Sequence, residues 1–285
     1  MNFSHRGQGR RTNILLAPAG AVVPAAFRNV TDSPRLHHRL LASMQRLRGH
    51  IYSGEGAISR ASLTSDGRHV QTVDDQSWHL LTVGDGGQVV GCARFHAHSL
   101  SARWEHVGVS RAWLAKDPHW AASLRRAVER EMDQARALGM AFVEAGGWAL
   151  AESIRHTPEA IKIALSAFCW AKLLGGAVGV TTATVRNQSA MILQRLGGSF
   201  LESDGRKMPM YFDPQYGCEM AILRFSDASY SVRYHKMVRE LTDQLSNALV
   251  LTPGTAGWET FANLHPAVYD APMQPLSRPV ESYAV

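Results

Sequence analysis

Hydrophobic positions along the chain change their spacing several times, and each change marks an element. From Ser33 and Pro34 onward, Leu36, Leu40, Leu41, Met44, Leu47, Ile51 and Tyr52 recur at three- and four-residue steps. This predicts an amphipathic helix ending near the turn at Ser53 to Gly56. Trp78 to Val83 and Gln88 to Phe95 are apolar runs on either side of a Gly-rich turn, which predicts a β-hairpin. A charged helix with one apolar face (Leu124, Ala127, Val128, Ala135) is expected over Trp120 to Leu138, and Gly139 stops it. An apolar strand, Met140 to Ala145, follows. A helix from Pro158 to Leu174 comes next, with Thr157 as its cap and Pro158 in its first turn. The β-branched run Val178 to Val185 predicts a strand, Asn187 introduces a short helix, and Leu196, Gly197 and Gly198 end it. Two further strands, Ser199 to Glu202 and Cys218 to Phe225, flank a loop from Met208 to Tyr216. A last helix, Tyr230 to Leu249, precedes a Pro-rich tail.

Residues 1 to 33 mix Arg, Gly, Pro and Ala without periodicity and read as a flexible arm. The domain reading is therefore an arm (1–33), one main α/β domain (34–225), and a C-terminal helix with its tail (226–285). Ile14 to Phe27 imitates the apolar part of a secretory signal, but Pro18 and Pro24 interrupt it. No run approaches the ~20 apolar residues of a membrane helix, and a cytoplasmic location is expected.

Composition narrows the classes. With 45% hydrophobic and 19% charged residues the chain can bury a sizeable core. Thirty Lys and Arg against 24 Asp and Glu give a net charge of +6, but no basic and aromatic residues alternate, so nucleic acid is not the expected partner. Three dispersed cysteines exclude a disulfide framework, and His96-x-His98 brings no third ligand, so no metal is expected.

The order hairpin, strand, helix, strand, helix, strand, strand over about residues 78 to 225 resembles the GCN5-related N-acetyltransferases. The segment Val178 to Phe200 is similar to that family's strand ending at Asn, followed by a helix that closes on Leu-Gly-Phe. Arg48 to Tyr52, Asp74-Asp75 and Val90 to Arg94 resemble the autoinducer synthase and long-chain N-acyl amino acid synthase branches, as does Glu144. The resemblance implies an α/β (α+β) fold: a mixed, mostly antiparallel sheet flanked by helices, here with an inserted helix at 120–138 and a C-terminal helix. It also implies an acyl thioester co-substrate, acyl-CoA or an acyl-phosphopantetheine carrier protein, and a small amine acceptor such as an amino acid. The family's usual pyrophosphate loop is missing. Gly146 to Thr157 offers one arginine and a helix start instead, which suit a single phosphate.

Acyl transfer from a thioester needs an amine freed of its proton, a held oxyanion and a proton for the thiolate. Glu144, at the end of an apolar strand, is the candidate general base with a pKa raised by desolvation, or else a salt-bridged structural residue. Tyr211 is either the proton donor or a packed aromatic. Arg155 and Thr157 can bind the pantetheine phosphate or simply open a helix. The resemblance places Asn187 and Ser189 on the pantetheine arm, with helix capping by Asn187 as the plainer role. It also places Arg94 and Asp75 on the acceptor's carboxylate and amine, although an ordinary ion pair would look the same. A short-chain acetyltransferase using acetyl-CoA and a catalytically silent binding module are the alternative functions.

Overall fold

The computed structural model describes residues 11–254. The strands and helices in chain order begin with β1 (Thr12–Leu16), β2 (Asn29–Asp32), α1 (Pro34–Gly54), β3 (Trp78–Val83), β4 (Val89–His98), α2 (Ala121–Ala137) and β5 (Ala141–Leu150). They continue with α3 (Pro158–Leu173), β6 (Ala177–Thr184), α4 (Ser189–Leu196), β7 (Ser199–Phe200), β8 (Glu202–Ser203), β9 (Arg206–Lys207) and β10 (Tyr211–Asp213). β11 (Cys218–Ser226), α5 (His235–Ser246) and β12 (Leu249–Thr252) complete the set. One sheet runs β10-β11-β6-β5-β4-β3-β1-β12-β2, with β7 pairing β11. Its pairs are antiparallel except β5 with β6 and β12 with β1 and β2. This is the mixed, mostly antiparallel sheet flanked by helices that the sequence predicts.

Alternation along the strands divides the core by face. Leu15, Trp78, Leu80, Phe95, Val143 and Phe225 point to one side, where they meet Leu165, Phe168 and Trp170 of α3 and Leu241 of α5. The other side is split. α1 covers Leu16, Leu81 and Cys92, while α2 covers Phe142, Val178, Val180 and Ile222. The helix read as an insertion thus supplies half of one core layer, and Glu131 ties it to β11 through Arg224 at 2.7 and 3.0 Å.

Two terminal expectations are corrected. Residues 12–32 are no flexible arm, because β1 lies between β3 and β12 with Leu15 and Leu16 fully buried. Both faces of this strand are covered, so its sequence shows no polar alternation. The C-terminal region likewise returns to the sheet as β12 rather than leaving as a tail. The remainder of the expected tail, 255–285, lies outside the described residues. Among the described residues no helix is long and apolar enough to cross a membrane.

A glycine sets the spacing at the sheet's centre. A Cβ on Gly179 would lie 2.4 Å from Val143 O and 2.5 Å from Phe225 Cζ. Gly179→Ala is expected to destabilise the protein by about 1–3 kcal/mol through overpacking, read as a lowered urea midpoint with an unchanged slope.

Candidate active site

β5 is where the fold becomes chemically interesting. It pairs in parallel with β6 from Ala141–Ala177 to Ala145–Thr181, and there the pairing stops although both strands continue. Its register with β4 slips at the same place, between Cys92 and Arg94, around Gly146 and Gly147. Gly147 has φ +62°, and a Cβ there would sit 3.1 Å from Arg94 Cβ and 3.4 Å from Arg48 Nη1. Only glycine accommodates both the left-handed backbone and that approach. The stretch expected as a loop from Gly146 is therefore strand as far as Leu150. The bulge turns this part of β5 away from β6 and opens a wedge in the sheet.

A narrow apolar cavity lies in the wedge, on the α3 side. Ala93, Phe95, Trp148, Ala164, Ala167 and Phe168 line it, and Thr181, Leu193 and Phe225 close its far wall. Trp148 Nε1 is buried without a hydrogen-bond partner among the described residues.

On the opposite side, polar groups gather between the α1 and α2 cores. Arg94, His96 and His98 alternate on one face of β4, and Glu144 stands opposite His96 on β5. Arg48 of α1, fully buried, forms a two-pronged pair with Asp74 at 2.8 and 2.5 Å. Gln45 and the Gln71 backbone N–H donate to Asp74 as well, each at 3.1 Å. Arg94 reaches Asp74 at 3.2 Å and Gln71 Oε1 at 2.5 Å through Nη1, while its Nη2 meets no acceptor among the described residues. The pair expected between Arg94 and Asp75 is thus corrected by one position. Asp74 turns inward and Asp75 is exposed, a choice of strand-entry geometry that an Asp-Asp dipeptide leaves open.

Glu144 accepts from His98 Nε2 at 2.9 Å and from the Gly108 and Val109 backbone N–H groups at 2.7 and 2.9 Å. Burial pushes its pKa up, as the sequence suggests, but the His98 and backbone hydrogen bonds outweigh burial and hold it below the usual carboxylate range. The expected raised pKa is therefore corrected. Of about four lone-pair positions on a carboxylate, three are occupied and one remains. His98, read from sequence only as half of a metal motif, fixes this carboxylate. No group of three or more His, Cys, Asp or Glu among the described residues is arranged to hold a metal ion.

Tyr211 makes no side-chain hydrogen bond to these groups among the described residues. It is packed beside Met220 under α2, and burial raises its pKa. The tyrosines at the polar cluster are Tyr52, whose hydroxyl donates to Trp148 O at 3.3 Å, and Tyr216, half-buried where it feels the charges of Arg94 and Arg48. Sequence spacing had no means of finding either, since α1 and the β10–β11 turn meet only in the fold.

At the carboxyl ends of β5 and β6, Glu55 connects the donor-side candidates. Arg155 Nη2 donates to Glu55 Oε1 at 2.5 Å and Asn187 Nδ2 to Oε2 at 2.8 Å. Thr157 caps α3 by accepting from Glu159 N at 3.3 Å. Asn187 does not cap α4, whose N-cap position belongs to Gln188 in a left-handed conformation. Ser189 Oγ lies 3.4 Å from Thr184 Oγ1.

Buried imidazoles give the site a pH limit. Burial pushes His37 down to about 4 and His79 down to about 3, and burial with the neighbouring His98 pushes His96 down to about 4. In the unfolded chain each protonates near 6.5, so below that pH the unfolded state binds more protons. Stability is expected to fall from pH 6.5 toward 4 by at most about 1.4 kcal/mol per pH unit for each fully buried ring. Thermal melting across pH 7 to 5 measures this, and a flat midpoint would refute it.

Comparison with solved structures agrees with this architecture. A CoA-dependent acyl-homoserine lactone synthase, BjaI, superposes with a TM-score of 0.50 at 15% identity over 90% of this chain and 100% of that one, in its complex with MTA. The same values hold for BjaI with SAM and isopentyl-CoA. FeeM, an N-acyl amino acid synthase from uncultured soil microbes, gives a TM-score of 0.45 at 10% identity over 76% of this chain and 91% of that one. No family model matches the chain, and no curated protein matches it in sequence. The fold is that of the acyl-homoserine lactone synthase BjaI.

Proposed function

We propose that the protein is an N-acyltransferase. It moves an acyl group from a thioester donor, acyl-CoA or an acyl-phosphopantetheine carrier, to the amine of an amino acid or similar small acceptor. The observation that carries this reading is the wedge between β5 and β6, with an apolar cavity on one side and a polar, charge-selective cluster on the other. A thioester threaded through the wedge would place its acyl chain against Phe95, Trp148 and Phe168. Its carbonyl oxygen would meet backbone N–H groups that β5 turns away from β6 near Gly146 to Trp148.

Arg94, held by Asp74 and Gln71, keeps Nη2 for an acceptor carboxylate. Glu144 draws the proton from the attacking amine through its remaining lone-pair position, and His98 shares the charge. Because its basicity is held low, Glu144 acts on an amine whose acidity rises as the nitrogen attacks. The thiolate leaves beside Tyr52 and Tyr216, whose protonated hydroxyls suit hydrogen bonding to it. No covalent enzyme intermediate is required. The connection after β5 offers Arg155 and the α3 N-terminus rather than a glycine nest, which favours a donor presenting one phosphate.

Incubation with a panel of acyl-CoA and acyl-carrier donors, read by native mass spectrometry and then by product formation with amino acids, tests the reading. Retained medium or long acyl donors and N-acyl products support it. Exclusive use of acetyl-CoA would reassign the protein to short-chain acetylation, and absence of any donor binding would refute the enzyme reading.

A further inference from the structure

Glu55 stands near the carboxyl ends of the parting strands, and its side-chain hydrogen bonds are long-range in sequence. Its side chain spans Arg155, which follows β5, and Asn187, which follows β6, while its backbone carbonyl accepts from Arg186 Nη2 at 3.0 Å. Arg155 has a second anchor besides the Glu55 side chain, and Arg186 rests on the Glu55 backbone rather than on its carboxylate. Arg155 Nε donates to Leu150 O at 3.1 Å, and Arg186 Nη2 also reaches Tyr216 O at 3.5 Å. Arg155 and Asn187 therefore form an anion-holding recess around the carboxylate, with Arg186 at the adjoining backbone carbonyl. One carboxylate paired with Arg155, with the Arg186 guanidinium on the adjoining backbone carbonyl, leaves positive charge in excess, which a phosphate monoester dianion would neutralise better.

Glu55 is also placed to leave. It follows the last turn of α1 between Gly54 and Gly56, and Gly56 has φ +69°. A Cβ on either glycine would meet nothing within 4 Å, so the turn has room to move. The Arg155–Glu55 pair is partly open to water, with side-chain exposures of 32% and 27%. Ion pairs of that exposure are weak and exchangeable.

We propose that Glu55 is an internal stand-in for the donor's phosphate: it occupies the recess of Arg155, Arg186 and Asn187 in the donor-free protein and is displaced when a phosphopantetheine group enters. This rests on the donor reading above. Displacement frees the end of α1, so donor entry and the opening of the Tyr52 side of the cluster become one event. The carboxylate keeps the recess closed to weaker anions until a thioester donor arrives.

Calorimetric titration of the full chain tests this with three probes: coenzyme A, 4′-phosphopantetheine, and pantetheine without its phosphate. Glu55→Gln, which keeps the shape and one acceptor, is expected to bind the two phosphorylated probes about three- to tenfold more tightly than the unsubstituted protein. Pantetheine affinity should stay unchanged, and Arg155→Ala should weaken only the phosphorylated probes. Glu55→Ala and a melting curve for each variant show whether the fold is retained. Equal or weaker binding of 4′-phosphopantetheine by folded Glu55→Gln, with the unsubstituted protein binding it, would overturn the proposal while leaving the donor reading intact. If no protein in the set binds any probe, the donor reading itself fails and the stand-in role with it.

Discussion

Replacing Asp74 with alanine is expected to cost about 3–5 kcal/mol of stability, the penalty for stranding a buried charge. The reason is Arg48. Its guanidinium is fully buried under α1, and two of its nitrogens end on the Asp74 carboxylate. Arg94 and Gln45 lean on the same carboxylate, so alanine would leave one buried cation without a counter-charge and a second one loosened. Asp74 itself is held well below the usual carboxylate range: burial pushes its pKa up, and the Arg48 pair more than reverses this. With the folded pKa depressed, its contribution is present above the unfolded value and is lost as pH falls below it. Asp75→Ala, one residue away and exposed, is expected to change stability by less than about 0.5 kcal/mol. Arg48→Met combined with Asp74→Leu removes both charges and is expected to recover much of the loss. Urea midpoints for the four proteins decide the matter, and equal effects of the two aspartates would contradict this assignment.

Glu144→Gln is expected to lower kcat by about a hundredfold or more, the usual contribution of a positioned base. The substitution has a structural component as well. Gly108 N and Val109 N both donate to the carboxylate, so a glutamine amide must turn its own N–H toward at least one donor. A loss of about 1–3 kcal/mol follows from that unmatched contact. The two components are separable, because a base affects turnover in protein that is still folded, while an anchor affects the melting temperature first. Glu144 is held below the ordinary carboxylate range, so it stays ionised well into acid. The acid limb of the wild-type rate profile is then expected to follow the buried imidazoles and folding rather than a titrating glutamic acid. Full turnover in folded Glu144→Gln would remove Glu144 from the chemistry and leave it as the anchor of the 108–109 segment.

Several of these features were legible in the chain before folding. Thr157 and Pro158 mark the start of α3 by local hydrogen bonding and a fixed φ, which need no distant partner. The hairpin turn at Gly84 to Gly87 and the 3.6-residue period of α1 are equally local, and the structure places them within a few residues of the expected bounds. The polar cluster was legible in part. Arg94 and Glu144 stood out as charges in apolar strands, whereas Arg48, Asp74 and His98 acquire their roles only from one another.

The misreadings share a physical origin. β1 is a short run with both faces covered, and its partner β12 is more than 200 residues away, so no local period announces either strand. Asp74 and Asp75 differ by which side of a turn faces inward, and Tyr211 and Tyr216 by which end of β10 approaches the wedge. A raised pKa for Glu144, whether base or structural residue, follows from sequence because burial is the only influence visible there. The donors that reverse its shift, His98 and the backbone at 108 and 109, come from segments 46 and about 35 residues distant. The sequence alone determined the helices, the central strands and their order, because local propensity and periodicity act over a few residues. The tertiary structure decided the parting of β5 from β6, the partners of each charge and the meeting of Glu55 with Arg155 and Asn187, because hydrogen bonding and electrostatics act through space.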